Sequence, residues 1–124
     1  MDIQFTEEQE LLRGSIQRLL RDRYDFDARR KIVATEEGWS RKHWNAFAAL
    51  GLCAAPFRES SGGLGGGPLA TMMVMQEFGR SLVVEPYFET VVLAGGLIED
   101  VGSPVLRETF LPVNRPYSFM AAWE

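Results

Sequence analysis

The sequence predicts an all-α fold, an orthogonal or up-down bundle of about six helices. Three observations support this prediction: apolar residues at helical spacing near the N-terminus, Gly, Pro and Ser residues where helices would start or stop, and a strongly apolar run over residues 85–101. Residues 117–124 differ, because their composition is typical of a β-strand. An isolated strand leaves its backbone groups unpaired, so we expect it to be the first strand of a missing β-domain.

The bulk composition is that of one globular domain. A chain of 124 residues with 46% hydrophobic and 24% charged residues can form a single core and is not disordered. The net charge is −4, and residues 1–43 hold nine basic and nine acidic side chains, which argues against nucleic acid as the main partner. Cys53 is the only cysteine, which excludes a disulfide framework or a cysteine-based metal site. The acidic N-terminus has no apolar run, so we expect no signal peptide and a cytoplasmic location.

The first three helices follow from caps and apolar spacing. The first is predicted from Glu7 to Tyr24, because Thr6 and Gln9 have the spacing of a capping box. A second is predicted from Asp27 to Thr35. A third follows the N-cap Ser40 and ends at Gly51, with Trp44 and Phe47 on its buried side. The sole histidine, His43, lies in the first turn of this helix without a second ligand or base in view, so a structural role is favoured.

A glycine-rich stretch, PFRESSGGLGGG at residues 56–67, resembles a phosphate-binding loop only superficially. The dinucleotide pattern needs a glycine where Pro68 stands, and the Gly-Lys-Ser/Thr of a P-loop is missing. We therefore expect a tight loop over helix ends. A fourth helix should open at Pro68 and stop at Phe78, closed by Gly79, and a sixth should run from Pro104 to Leu111.

The fifth helix, from Glu85 to Val101, is apolar on every side in its middle and should be surrounded by protein. It is shorter than the roughly 20 apolar residues of a membrane span, so we place it at the centre of a soluble bundle. Its internal pair Gly95–Gly96 predicts the close approach of another helix or of a ligand. Glu89 either points out through a gap in the bundle or lines a pocket.

The order of these signals resembles the N-terminal helical domain of the FAD-dependent acyl-CoA dehydrogenases. Five segments carry the resemblance: FTEEQ at 5–9, LGL at 50–52 followed by Pro56, GGLG at 62–65, QEFGR at 76–80 and AWE at 122–124. Within that family, residues 22–26 and 84–87 are most similar to the small subunits of pimeloyl-CoA dehydrogenases. The resemblance implies a helical domain over residues 1–115 and the start of a truncated middle β-domain at 116–124.

The resemblance implies an oxidoreductase of fatty acid metabolism that desaturates an acyl-CoA between its α and β carbons. In the family, a glutamate takes the α proton while flavin N5 receives the β hydride, and the middle and C-terminal domains supply this base and most FAD contacts. No residue of this chain is therefore expected to be catalytic or to bind FAD or a metal. The implied contribution is one wall of the acyl cavity, from Glu85, Phe88, Glu89, Val92 and Leu93. Because Glu89 would repel a diacid substrate, it bonds a polar group, faces away, or shows that the substrate is no diacid.

The implied partners are an acyl-CoA, the missing domains, another acyl-CoA dehydrogenase subunit in a homo- or hetero-oligomer, and electron-transfer flavoprotein or a similar acceptor. Neither nucleic acid nor a membrane is implied. The alternative is a small helical binding or regulatory module without enzymatic activity, with a recognition helix at Trp39–Gly51. The bulky Trp44 and Phe47 at core positions argue against that alternative.

Overall fold

The computed structural model describes residues 3–111, and within that range all regular structure is helical. Six α-helices follow one another: α1 (Glu7–Arg23), α2 (Phe26–Val33), α3 (Arg41–Ala49), α4 (Gly67–Ser81), α5 (Gly96–Val101) and α6 (Pro104–Phe110). A π-helix, π1 (Phe88–Gly95), continues directly into α5, and a 3-10 turn spans Glu59–Ser61. The predicted all-α fold is therefore confirmed, whereas the strand predicted at 117–124 lies outside the described residues.

Side-chain caps start α1, α2, α3 and α6. The predicted capping box is present, with the Gln9 N–H donating to Thr6 Oγ1 at 3.1 Å and the Thr6 N–H donating to Gln9 Oε1 at 3.0 Å. Helix α2 begins one residue before its predicted start, because Asp25 accepts from the Ala28 N–H at 2.8 Å and acts as its cap. Ser40 and Ser103 cap α3 and α6 in the same way.

The predicted end of α4 at Gly79 is wrong. The helix continues to Ser81, and Leu82 takes the left-handed conformation with φ of 53°. A left-handed non-glycine residue is uncommon. Here the Arg29 Nε of α2 donates to the Leu82 carbonyl at 2.7 Å, and the Val83 N–H donates to the Phe78 carbonyl at 3.0 Å. A local bond at the helix end and a hydrogen bond from α2 thus hold the end of α4 beyond the glycine.

The core lies where α1, α3 and α4 meet the segment before π1. Helix α1 packs on α4 and buries Ile16 and Leu20. Phe47 and Phe78 have ring centroids 4.7 Å apart. The largest fully buried side chains come from several elements: Trp44, Tyr87, Phe47, Ile16, Leu52, Met73 and Val74. The predicted core positions of α3 are confirmed. No helix in the described range is long and apolar enough to cross a bilayer.

Candidate functional site

The helix formed by π1 and α5, residues 88–101, is anchored at its start by a buried tyrosine. The Tyr87 hydroxyl donates to the Leu52 carbonyl at 2.8 Å, and its ring packs edge-on against Phe78 with centroids 5.2 Å apart. Burial, and then the neighbouring Cys53, raise the pKa of Tyr87 above its ordinary range. The phenol is therefore a structural anchor that stays protonated at neutral pH.

The first eight residues of this helix are wound as a π-helix. Its hydrogen bonds run between residues five apart, so Phe88 and Leu93 fall on one side. Such turns are rare and frequently lie at functional sites. The sequence pattern gave no direct signal for this winding, since the apolar residues of this stretch fit an α-helix as well.

One side of the helix presents apolar side chains that the described residues leave uncovered. Phe88 is 45% exposed and Leu93 is 54% exposed, and the series continues along the helix with Leu97 and Val101 at 64% and 74%. We call these four residues the exposed apolar face. The prediction that this helix is surrounded on every side is therefore wrong for residues 3–111. Hydrophobicity alone shows that a helix needs covering, but not which molecule covers it.

The resemblance also placed Glu89, Val92 and Glu85 on the acyl wall. Glu89 is exposed to solvent and lies next to the exposed apolar face, one turn before Leu93. Val92 is half-buried and points to a different side of the helix, where it lines a cleft. Glu85 is buried and lies before π1. The five residues therefore occupy three different environments.

Glu85 connects the approach to π1 with the start of α3. The Ser40 N–H donates to its Oε2 at 3.1 Å, while Oε1 has no hydrogen-bond partner among the described residues. The Tyr24 hydroxyl accepts from the Val84 N–H at 3.0 Å. Burial raises the pKa of Tyr24, the Val84 hydrogen bond opposes that rise, and the neighbouring Glu85 carboxylate adds to it. These contacts give Glu85 a structural role within this domain.

The cleft next to Val92 separates the helix from the glycine-rich loop and has a volume of about 470 Å³. Its apolar lining includes Pro56, Phe57, Pro68, Val91 and Val92, and three glycines line it as well: Gly65, Gly67 and Gly96. We call it the glycine cleft. Because it is largely apolar and open beside a helix with an uncovered side, it can hold an apolar chain.

An ion-pair cluster closes one end of the glycine cleft. The buried Glu99 accepts from the Arg58 N–H at 2.9 Å through Oε2. The Arg58 Nη2 donates to Asp100 Oδ1 at 3.1 Å, and its Nε lies 3.8 Å from Glu99 Oε1. The cluster fixes the loop to α5 and leaves the Arg58 charge shared between two carboxylates.

The glycine-rich loop cannot hold a phosphate through its backbone, because its N–H groups are already used. Those of Gly63, Gly65 and Gly66 donate to carbonyls of residues 55–58 at 2.9, 2.7 and 2.9 Å. A side chain at Gly63 or Gly66 would collide with the backbone of the same segment. Glycine is thus required by tight folding of the chain on itself, as the sequence predicted.

His43 has both ring nitrogens occupied. Its Nε2 lies 3.0 Å from the Arg23 carbonyl and must donate there, while Nδ1 lies 2.9 Å from the Ser40 hydroxyl. The ring packs edge-on against Tyr24 at 5.1 Å. His43 therefore ties the end of α1 to the start of α3. Within the described residues, no group of His, Cys, Asp and Glu side chains could hold a metal ion.

Comparison with known proteins gives consistent matches. The family model described as the N-terminal domain of acyl-CoA dehydrogenase matches residues 6–113. The acyl-CoA dehydrogenase FadE27 of Mycobacterium tuberculosis is 31% identical over 108 residues, which are 87% of this chain and 29% of the relative. A chain of the ChsE4-ChsE5 complex from the same organism matches with a TM-score of 0.81 and 28% identity, over 96% of this chain and 32% of that chain. This chain therefore spans less than a third of either relative.

Proposed function

Because the chain belongs to the acyl-CoA dehydrogenase family through its N-terminal domain, we propose that it supplies one wall of an acyl-binding cavity. The parent enzyme would be a larger assembly that desaturates an acyl-CoA thioester between its α and β carbons. The observation that carries this proposal is the exposed apolar face, an uncovered row of large side chains on a helix anchored from behind by Tyr87.

An apolar wall fits an acyl chain because each methylene removed from water contributes about 0.8 kcal/mol. Two hydrogen bonds hold the wall in place, one near each end of the helix. The Tyr87 hydroxyl bonds to the Leu52 carbonyl before its start, and the Arg58 N–H bonds to Glu99 near its end. The exposed apolar face would thus bind and orient the acyl chain without taking part in proton or hydride transfer. None of the candidate residues is assigned a catalytic role.

FAD would supply the oxidising power of the parent enzyme, but the glycine-rich loop does not fit its pyrophosphate. The loop with the most glycines has its N–H groups bonded internally. We therefore assign FAD binding and the catalytic base to polypeptide other than residues 3–111. We expect this chain alone to have no dehydrogenase activity and to bind no flavin.

A second subunit is also part of the proposal. The similar solved chain belongs to a complex of two different components, which supports a homo- or hetero-oligomeric arrangement for this chain. The other partners that we propose are an acyl-CoA substrate and an electron acceptor such as electron-transfer flavoprotein. The rest of the assembly would cover the exposed apolar face and so close the cavity.

The proposed wall can be tested in the intact dehydrogenase that contains this domain. Replacing Leu93 by Trp should fill the cavity and lower kcat/KM for long acyl-CoA substrates by about tenfold or more, while short ones lose less. Leu11→Trp is the matched control, because Leu11 is 68% exposed on α1 and lies outside the proposed wall. Flavin content and subunit stoichiometry should be measured for both variants. An unchanged chain-length profile in Leu93→Trp with intact assembly would contradict the proposal.

A further inference from the structure

We infer that the acyl wall selects acyl groups with an uncharged distal end and rejects those that end in a second carboxylate, and that Glu89 determines this selectivity. The inference rests on the proposed function and narrows its substrate class. Two observations support it: Glu89 has no hydrogen-bond or ion-pair partner among the described residues, and the segment around the exposed apolar face carries negative charge.

Glu89 differs from the other acidic residues of its segment. Glu85 accepts from the Ser40 N–H, and both Glu99 and Asp100 are bonded to Arg58. Glu89 has no hydrogen bond or ion pair with any residue in the described part of the chain. It projects beside Phe88 and one turn before Leu93, so an acyl chain on the exposed apolar face would pass close to an uncompensated carboxylate.

The surrounding segment offers no positive charge to offset it. From Ser81 to Leu106 the sequence contains four acidic residues and no Lys, Arg or His. The cations that flank this range are Arg80, which lies 3.9 Å from Glu77 Oε1, and Arg107 on α6. Arg58 reaches this helix from the glycine-rich loop, but two carboxylates already share its charge. A distal carboxylate on the substrate would therefore meet negative charge along the proposed wall.

Covering the exposed apolar face strengthens this repulsion. Two like charges interact weakly through water, but a lower local dielectric raises the interaction several-fold at the same separation. Like-charge juxtaposition is also one of the means by which binding sites exclude wrong partners. An uncharged acyl end meets no such penalty, because apolar contact with Phe88 and Leu93 is its main interaction.

The experiment compares three thioesters of equal chain length in the intact, flavin-loaded dehydrogenase. Heptanoyl-CoA has an uncharged end, pimeloyl-CoA has a distal carboxylate, and the monomethyl ester of pimeloyl-CoA keeps the length and removes the charge. We expect kcat/KM for pimeloyl-CoA to be lower than for heptanoyl-CoA by about tenfold or more at low salt, and the ester to recover most of the difference. Added salt should change the ratio only slightly, because salt screens a covered pair of charges much less than an exposed pair.

Two variants assign the selectivity to Glu89. Glu89→Gln should reduce the heptanoyl-to-pimeloyl ratio by about fivefold or more, and Glu89→Lys should reduce it further or reverse it. Glu8→Gln, an exposed glutamate in the first turn of α1, should leave the ratio unchanged. If the wild-type enzyme uses pimeloyl-CoA as well as heptanoyl-CoA, or if Glu89→Gln keeps the full ratio, the inference is wrong while the proposed function stands. If no acyl-CoA of any kind reduces the flavin, the proposed function itself fails, and this inference fails with it.

Discussion

Glu77 is a buried carboxylate that joins α1 to α4. Its side chain is 4% exposed, and its Oε1 lies 3.4 Å from the Arg13 Nε and accepts from the Gln17 Nε2 at 3.2 Å. Arg13 also donates through Nη2 to Gln76 Oε1 at 2.9 Å. The sequence shows that Gln76 and Glu77 lie on α4, but it does not show which of two adjacent polar residues turns inward. That choice depends on Arg13 and Gln17, which α1 supplies from about 60 residues away.

At the scale of single residues, the two glutamates that contact Arg13 form a matched pair. Glu10 lies 3.4 Å from the Arg13 Nη1 but is 51% exposed, whereas Glu77 is buried. We expect Glu77→Gln to lower the free energy of unfolding by about 2 kcal/mol, because it leaves Arg13 with reduced compensation in a mostly dry site. Glu10→Gln should change it by less than about 0.5 kcal/mol, since water screens an exposed pair. Urea denaturation of both variants checks this, and equal losses would show that burial does not set the strength of the pair.

The adjacent glycines Gly95 and Gly96 of the π1–α5 helix have different surroundings. A methyl group at Gly95 would collide with the Phe57 ring, which rests against the helix there. At Gly96 a methyl group would meet nothing within 4 Å, and Gly96 has ordinary helical φ and ψ of −60° and −43°. A close approach is therefore present at Gly95, but a side chain of the glycine-rich loop makes it, not the helix or ligand that was predicted. Gly96 borders the open glycine cleft.

These two positions predict opposite effects on stability. Gly95→Ala should lower the free energy of unfolding by about 1–3 kcal/mol, because Phe57 and the helix must separate. Gly96→Ala should raise it by about 0.5–1 kcal/mol, since alanine is the better helix former and the added methyl group is unobstructed. Thermal or urea unfolding of the single variants measures both values. The double variant Gly95→Ala/Phe57→Ala should cost less than the sum of its parts, and strict additivity would place the collision elsewhere.

At the scale of elements, local chemistry predicts helix starts better than helix ends. Thr6 and Ser40 cap their helices because a side-chain oxygen reaches an N–H only three residues away. The end of α4 instead receives a hydrogen bond from Arg29, and the π-helix of residues 88–95 lies between the anchored Tyr87 and the contact of Phe57 with Gly95. Such long-range contacts leave no pattern in the neighbouring sequence.

At the scale of the whole molecule, the sequence predicts the helix of the candidate site but not the side to which each residue points. Residues 85–93 form one short segment, yet the fold buries Glu85 against Ser40, turns Val92 to the glycine cleft and exposes Phe88 and Leu93. The π-winding shifts each side chain away from its α-helical direction, so the assignment by position could not separate these environments. The glycine cleft also escaped prediction, because its lining combines a loop with two helices.

Three groups that lose a proton at high pH affect the stability of the whole domain: the buried Tyr24 and Tyr87 and the half-buried Cys53. Burial raises the pKa of Cys53 from an ordinary value of 9.0 to about 12, and it raises those of Tyr24 and Tyr87 as well. In each case the folded state disfavours the anion. Above pH 9 the unfolded chain releases these protons while the folded chain still holds them. Since the unfolded state then binds fewer protons, stability must fall as the pH rises.

We therefore expect the free energy of unfolding to decrease steadily above about pH 9, with Cys53 alone contributing up to about 1.4 kcal/mol per pH unit until its folded pKa is reached. Urea denaturation of the chain at about pH 7.5, 9.5 and 10.5 measures this slope. Cys53→Ala removes one titrating group, so its slope should be shallower by up to that amount, whatever the variant loses in packing at neutral pH. The two tyrosines should still produce a decrease at the highest pH. If the wild-type chain and Cys53→Ala lose stability in parallel, the thiol ionises as readily in the folded chain as in the unfolded one, and the fold does not shield Cys53 from water.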